Sequence, residues 1–141
     1  MSRLKILQMS AYFEPEKISS THLAKDLFEV LTKEGFEIED FVPSPCRGIP
    51  KETRTKYKKI KYEEKYDKRY IVHRFSMFPE GRNSLIRAIR YVLVNLIQYY
   101  KGSKAKDVDV IFAASTPPTQ GLLCGMVKRR LNVPFVYNLQ D

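Results

Sequence analysis

The spacing of apolar residues changes period several times along this chain, and each change marks an element. Residues 4–10 (LKILQMS) begin with alternation and stay mostly apolar, which predicts a buried strand. Pro15 then forces a loop, because it lacks an N–H and pushes Glu14 away from helical angles. Ser19, Ser20 and Thr21 offer N-caps for a helix whose stripe is Leu23, Ala24, Leu27, Phe28 and Leu31, with Gly35 placed to end it. Residues 36–42 resume as a strand, giving the strand–helix–strand order of a parallel crossover unit. Pro43, Pro45, Gly48 and Pro50 open a long connection, after which Tyr62, Tyr66 and Tyr70 recur every four residues and predict a short helix. Residues 70–75 read as a third strand. Asn83 or Ser84 caps the longest helix, with Leu85, Ile86, Ile89, Leu93, Leu96, Ile97 and Tyr100 on its apolar face. Arg87, Arg90 and Gln98 fall off that face, and Gly102 ends the helix. Residues 108–114 form the clearest strand; Thr119 starts a helix to about Leu131, with Gly121 and Gly125 on one side, and residues 135–139 form a fifth strand.

Strands alternating with helices predict an α/β domain, Rossmann-like and doubly wound on a mainly parallel sheet. Ligands of such sheets bind outside the carboxyl ends of the strands. That selects residues 10–20, 115–120 and 138–141 as the candidate site.

Composition changes this picture in two places. With 141 residues and 43% hydrophobic content, one core and one domain are expected. The net charge of +9 is concentrated: residues 47–106 hold 17 Lys/Arg against 5 Asp/Glu. That stretch includes a Tyr/Lys-rich insertion at about 47–69 and is expected either to attract anionic lipid or another polyanion, or to be a solvated face. Cys46 and Cys124 have no redox or metal-ligand spacing and read as incidental thiols of a reducing compartment. Nothing resembles a signal peptide or a membrane span. A cytoplasmic protein is expected, free or peripheral on the inner face of the membrane.

The order of motifs resembles the N-terminal domain of glycosyltransferase family 4, the retaining GT-B enzymes, and most of all the branch that makes bacterial capsule and O-antigen. Residues 9–16 (MSAYFEPE) resemble its Q-Y-F-x-P-E loop, and residues 31–38 (LTKEGFEI) its L-x-x-x-G-H-E-V segment. Residues 71–74 (IVHR) stand where the family has V-x-R. Residues 109–118 (DVIFAASTPP) and 134–141 (PFVYNLQD) resemble D-V-(apolar)-x-S-x-P-P and P-F-(apolar)-x-x-x-x-D. The resemblance implies a parent enzyme moving a sugar from a nucleotide-sugar donor to a lipid-linked saccharide, with retention, no cofactor and no metal. This chain would be its acceptor-side half, inactive alone. The donor-binding half would be a C-terminal domain or a separate subunit. Where the family carries paired glycines beside the donor phosphates, this chain reads Glu16-Lys17-Ile18-Ser19-Ser20, leaving helix N–H groups and hydroxyls to meet an anion.

The resemblance and the strand-end rule together nominate Glu14, Glu16, Ser115, Thr116 and Asp141 for acceptor binding. Ser19, Ser20 and His22 form the donor-phosphate-facing loop, and Arg82, Arg87 and Arg90 face an anionic membrane. No catalytic residue and no metal ligand is nominated. Against these stand ordinary roles: loop acids, helix caps, a structural histidine and a core-packed helix. Two alternatives remain: a non-catalytic subunit that pairs with a donor-domain partner, and a polyanion-binding module, which lacks a nucleic-acid motif.

Overall fold

The computed structural model describes residues 4–16, 19–114 and 119–138, with residues 19–22 and Ala114 described by backbone alone. The chain forms β1 (Lys5–Gln8), α1 (Ser19–Lys33), β2 (Glu37–Pro43), α2 (Lys51–Lys58), β3 (Tyr62–Lys65) and β4 (Tyr70–Phe75). α3 (Ser84–Gly102), β5 (Val110–Ala114), α4 (Thr119–Leu131) and β6 (Phe135–Asn138) complete it. The sheet order is β3-β4-β2-β1-β5-β6. Every pairing is parallel except β3 with β4. This is a Rossmann-like α/β fold. Connections run outward from β1 through β2 to β4, then return by α3 to β5 on β1's other side. The strand order therefore reverses between β1 and β5, the position where such sheets open a crevice.

Alternation within the strands splits the core. Leu7, Met9, Phe41, Phe75, Ile111 and Ala113 pack with Val94 of α3 and with Leu123, Cys124 and Val127 of α4. Ile6, Ile38, Val42, Tyr70 and Val72 pack on the opposite face with Phe28 of α1. Burial pushes the Cys124 thiol up to about 12, so it stays protonated.

Three expectations are corrected. The helix predicted from Tyr62, Tyr66 and Tyr70 is a hairpin strand, and the helix lies earlier, as α2. Tyr66, Asp67 and Lys68 all adopt positive φ in the β3–β4 turn, which breaks any helical continuation. In α1, Leu23 and Leu27 are exposed and only the line through Phe28 and Thr32 is fully buried, because the apolar stripe is wider than the contact with the sheet.

The largest correction concerns α3, whose inward line is Arg90, Val94, Gln98 and Gly102, while Leu85, Ile86, Ile89, Val92, Leu93, Leu96 and Tyr100 are exposed. The sheet edge explains the inversion. Carbonyls beyond the strand ends have no strand partner and need buried donors, which Arg90 and Gln98 supply. Gly102 then lets the helix approach closely, since a Cβ there would lie 2.9 Å from Met9 Sδ. Asn83 caps the helix as expected, accepting from Leu85 N at 2.9 Å.

Candidate functional site: a braced crevice at the carboxyl edge of the sheet

Residues 9–16 leave β1 at the point of strand reversal, and buried side chains hold them from three sides. On the α3/α4 side the brace is an amide relay. Gln98 Nε2 donates to the carbonyls of Ser10 (3.0 Å) and Phe41 (2.8 Å), and Gln120 Nε2 donates to that of Met9. Asn95 Nδ2 donates to Gln120 Oε1 at 2.7 Å and joins the two helices.

On the α1 side Asp40, fully buried in β2, accepts from Ser10 N (3.1 Å), Ser10 Oγ (3.0 Å) and Tyr70 OH (2.8 Å). Burial pushes its carboxyl up to about 6, against the opposing effect of those hydrogen bonds and of Arg74's charge. A carboxyl whose folded pKa is raised favours folding at low pH. Its contribution is complete below the ordinary value near 3.8 and is lost as pH rises through about 6. Wild-type stability minus that of D40N is therefore expected to fall by about 2–3 kcal/mol between pH 4 and pH 7 in urea titrations. A flat difference across that range would refute the raised carboxyl.

The third brace centres on Glu80, in the loop after β4. It accepts from Tyr12 OH (3.2 Å) and Tyr91 OH (2.9 Å), and it pairs with Arg47 Nε (3.1 Å) and Arg87 Nε (3.2 Å). The Tyr12 and Tyr91 hydroxyls are themselves 2.7 Å apart, so their two protons are shared among three contacts, one hydroxyl donating to the other while that one donates to Glu80. Burial, the Tyr91 bond and Glu80's charge push the Tyr12 phenol well above its ordinary range, so it acts here as a neutral donor.

The nominated acids differ in availability. Glu16 is buried, and its carboxylate accepts from the backbone N–H groups of Phe13 (2.9 Å), Cys46 (2.8 Å) and Arg47 (3.2 Å). It braces the crevice wall, tying the β1 loop to the β2 loop. Burial raises its pKa, only partly offset by these donors and by Arg90. Glu14 stays at the rim, paired with Lys65 (2.7 Å) and Lys25 (3.7 Å). Burial opposes its ionisation, but the Lys65 bond and the two ammonium charges prevail and hold the carboxyl below its ordinary value. The Glu14–Pro15 bond is cis, and the Glu14 carbonyl accepts from Arg74 Nη2 at 2.6 Å. Arg74 also pairs with Glu63 at 2.8 Å and lies over the rings of Phe13 and Tyr57.

Ser19, Ser20 and His22 open α1, but their side chains lie outside the described residues, as do Ser115, Thr116 and Asp141 entirely. Arg82 is exposed. Arg87 turns to Glu80. Arg90 cannot face a membrane: it is fully buried and donates through Nε to Phe78 O (3.0 Å) and through Nη2 to Ser44 O (3.4 Å). Sequence reasoning missed Asp40, Glu80, Gln98 and Gln120. Asp40 interrupts the apolar positions of its strand and Gln120 shares the inward stripe of α4 with Leu123, Cys124 and Val127, whereas Gln98 lies off the apolar face of α3 and Glu80 lies in a loop with no periodic signal.

Among the described residues no group of three or more His, Cys, Asp or Glu is placed to hold a metal ion, and no helix is long and apolar enough to cross a membrane. No protein-family model and no curated protein matches the chain. Among solved structures, it is similar to the C-terminal domain (residues 78–226) of a hydrogenase from Pyrococcus furiosus, with a TM-score of 0.58 and 19% identity over 99% of this chain and 94% of that one. A second crystal structure of that domain (residues 83–215) matches at a TM-score of 0.58 and 18% identity over 98% and 94%. Likeness at this identity carries the fold alone: the chain is a Rossmann-like α/β domain whose segment after β1 is braced at the strand reversal.

Proposed function

We propose that this chain is the acceptor-side wall of a nucleotide-sugar-dependent glycosyltransferase acting on a lipid-linked saccharide at an anionic membrane surface. The motif series along the sequence motivates the sugar-transfer part. The observation that carries the membrane part is the outward face of α3, apolar from Leu85 to Tyr100, within a stretch from Gly81 to Lys106 that has no acidic residue. A helix with that composition lies in the membrane interface with its apolar side down, and each nearby Lys or Arg adds about 1 kcal/mol on anionic lipid. The crevice then opens at the level of a lipid-borne acceptor. Donor binding and the charges that stabilise the departing diphosphate belong to another domain or subunit.

Deleting the gene tests the transfer. Lipid-linked saccharides extracted from the deletion strain are expected to be truncated relative to the parent by mass spectrometry. An unchanged saccharide profile would sink the proposal. The purified chain alone is expected to turn over no sugar nucleotide.

A second reading, a binding subunit for a separate donor domain, is favoured by one observation. Leu122 and Met126 of α4 are exposed beside Leu96, around an apolar groove of about 210 Å³. A partner polypeptide covering that groove would co-purify with the chain and keep it off vesicles.

A further inference from the structure

Beyond the end of β2 the chain turns through Ser44 into α2, one face of which carries Lys51, Arg54, Thr55 and Lys58 at helical spacing. These four line a cavity of about 190 Å³ together with Ser44 and Met77. Three of the lining residues are cationic and none is acidic. Arg54 Nε, shielded from solvent, has no hydrogen-bond partner, so no acceptor offsets the Arg54 charge at that atom. The volume is several times the roughly 30 Å³ share of a water molecule. Polar lining and concentrated positive charge together specify an oxyanion, and Arg with Lys is the combination that holds phosphoryl oxygens.

A second cavity, of about 530 Å³, shares Ser44, Lys58 and Met77 with the first and continues over Phe78, Leu93 and Ile97. Arg90 stiffens the junction from below by binding the Ser44 and Phe78 carbonyls. Charge thus gives way to apolar wall within one continuous depression, and Leu93 is also part of the outward face of α3.

We infer that this depression is a lipid-phosphate site: Lys51, Arg54 and Lys58 take the phosphoryl group, and Met77, Phe78, Leu93 and Ile97 take the start of the hydrocarbon chain. It deepens the proposed function by naming the part of the acceptor that this domain grips, and it rests on that reading only for the assignment of the lipid to the acceptor.

Three probes titrated into the full chain by calorimetry and amide NMR test it: inorganic phosphate, dihexanoyl phosphatidate below its micellar concentration, and dihexanoyl phosphatidylcholine. Phosphatidate is expected to bind at least tenfold tighter than phosphate, with shifts at Ser44, Lys58 and Met77, and tighter than phosphatidylcholine by a similar factor. R54Q should weaken phosphate and phosphatidate tenfold or more, whereas L93S should weaken phosphatidate alone. Both variants are checked for wild-type urea midpoints, and K51Q/K58Q serves if R54Q is unstable. Phosphate binding as tight as phosphatidate and indifferent to L93S would make this a free-phosphate site and overturn the lipid assignment. Equal binding of phosphatidylcholine, or binding unchanged in the cationic variants, would overturn the phosphoryl pocket. Neither donor nor turnover enters this measurement. A bound lipid phosphate with an unchanged saccharide profile on deletion would therefore fail the transferase reading alone, and truncated saccharides without phosphatidate binding would fail the pocket alone.

Discussion

Replacing Glu80 by alanine is expected to destabilise the domain by about 2–4 kcal/mol, the range for removing a nearly buried carboxylate that accepts several hydrogen bonds. Glu80 is 4% exposed, whereas its Arg47 and Arg87 partners are 42% and 39% exposed at the side chain. Solvent screens those two ion pairs, and they supply the smaller share. Most of the loss comes from the Tyr12 and Tyr91 hydroxyls, which keep each other at 2.7 Å but lose their shared acceptor. E80Q retains one acceptor oxygen and the side-chain volume, so its cost should be about 1–2 kcal/mol. Urea unfolding of both variants decides this. A cost below about 0.5 kcal/mol for E80A, within the ordinary surface range, would mean that the Glu80 hub does not hold the crevice wall. The amide signals of residues 11–16 and Arg47 should shift more than those of β5 and β6, because Glu80 touches the former and not the latter.

Five of the six described strands, and most ends of α1, α3 and α4, were legible from the sequence because each rests on a local cause: a proline, a capping asparagine, a change of period; β3 and α2 were not. α4 begins at Thr119 and ends at Leu131 as its pattern predicts. What periodicity could not convey is the direction of α3. Leucine and isoleucine on one side and arginine and glutamine on the other normally mean that the apolar side faces inward. Here the carbonyls of Ser10, Ser44 and Phe78 lie in loops past the strand ends and that of Phe41 lies in β2 past the end of β1, and Arg90 and Gln98 point inward to meet them. That demand arises from chain segments 12 to 88 residues away from the donors, so no local window contains it. The same holds for Asp40, a polar residue of the predicted strand 36–42 on which Ser10 and Tyr70 converge only in the fold. Glu14 and Glu16 looked equivalent across Pro15. Tertiary contacts separate them into a rim acid held by lysines and a buried brace held by backbone donors.

The inversion of α3 leads to the second large effect. Leu85 and Leu96 are 67% and 59% exposed on the outward side of α3, three turns apart. Neither is needed for the fold, so L85E/L96E should keep its urea midpoint. Burying one leucine side chain contributes about 1.5–3 kcal/mol, so losing two at an interface should weaken binding to vesicles containing anionic lipid by at least about a hundredfold. Two added negative charges on an otherwise acid-free helix oppose the lipid surface as well. Co-sedimentation with phosphatidylglycerol vesicles at increasing salt separates the two contributions. The apolar contribution survives high salt; the basic contribution of Lys51, Lys58, Arg82 and Lys101 fades as the Debye length shrinks to about 3 Å at 1 M. Wild-type protein that ignores anionic vesicles at low salt, or a double variant that binds as well as wild type, would remove the membrane from the account. The exposed α3 face would then be left to a protein partner reaching across Leu96, Leu122 and Met126.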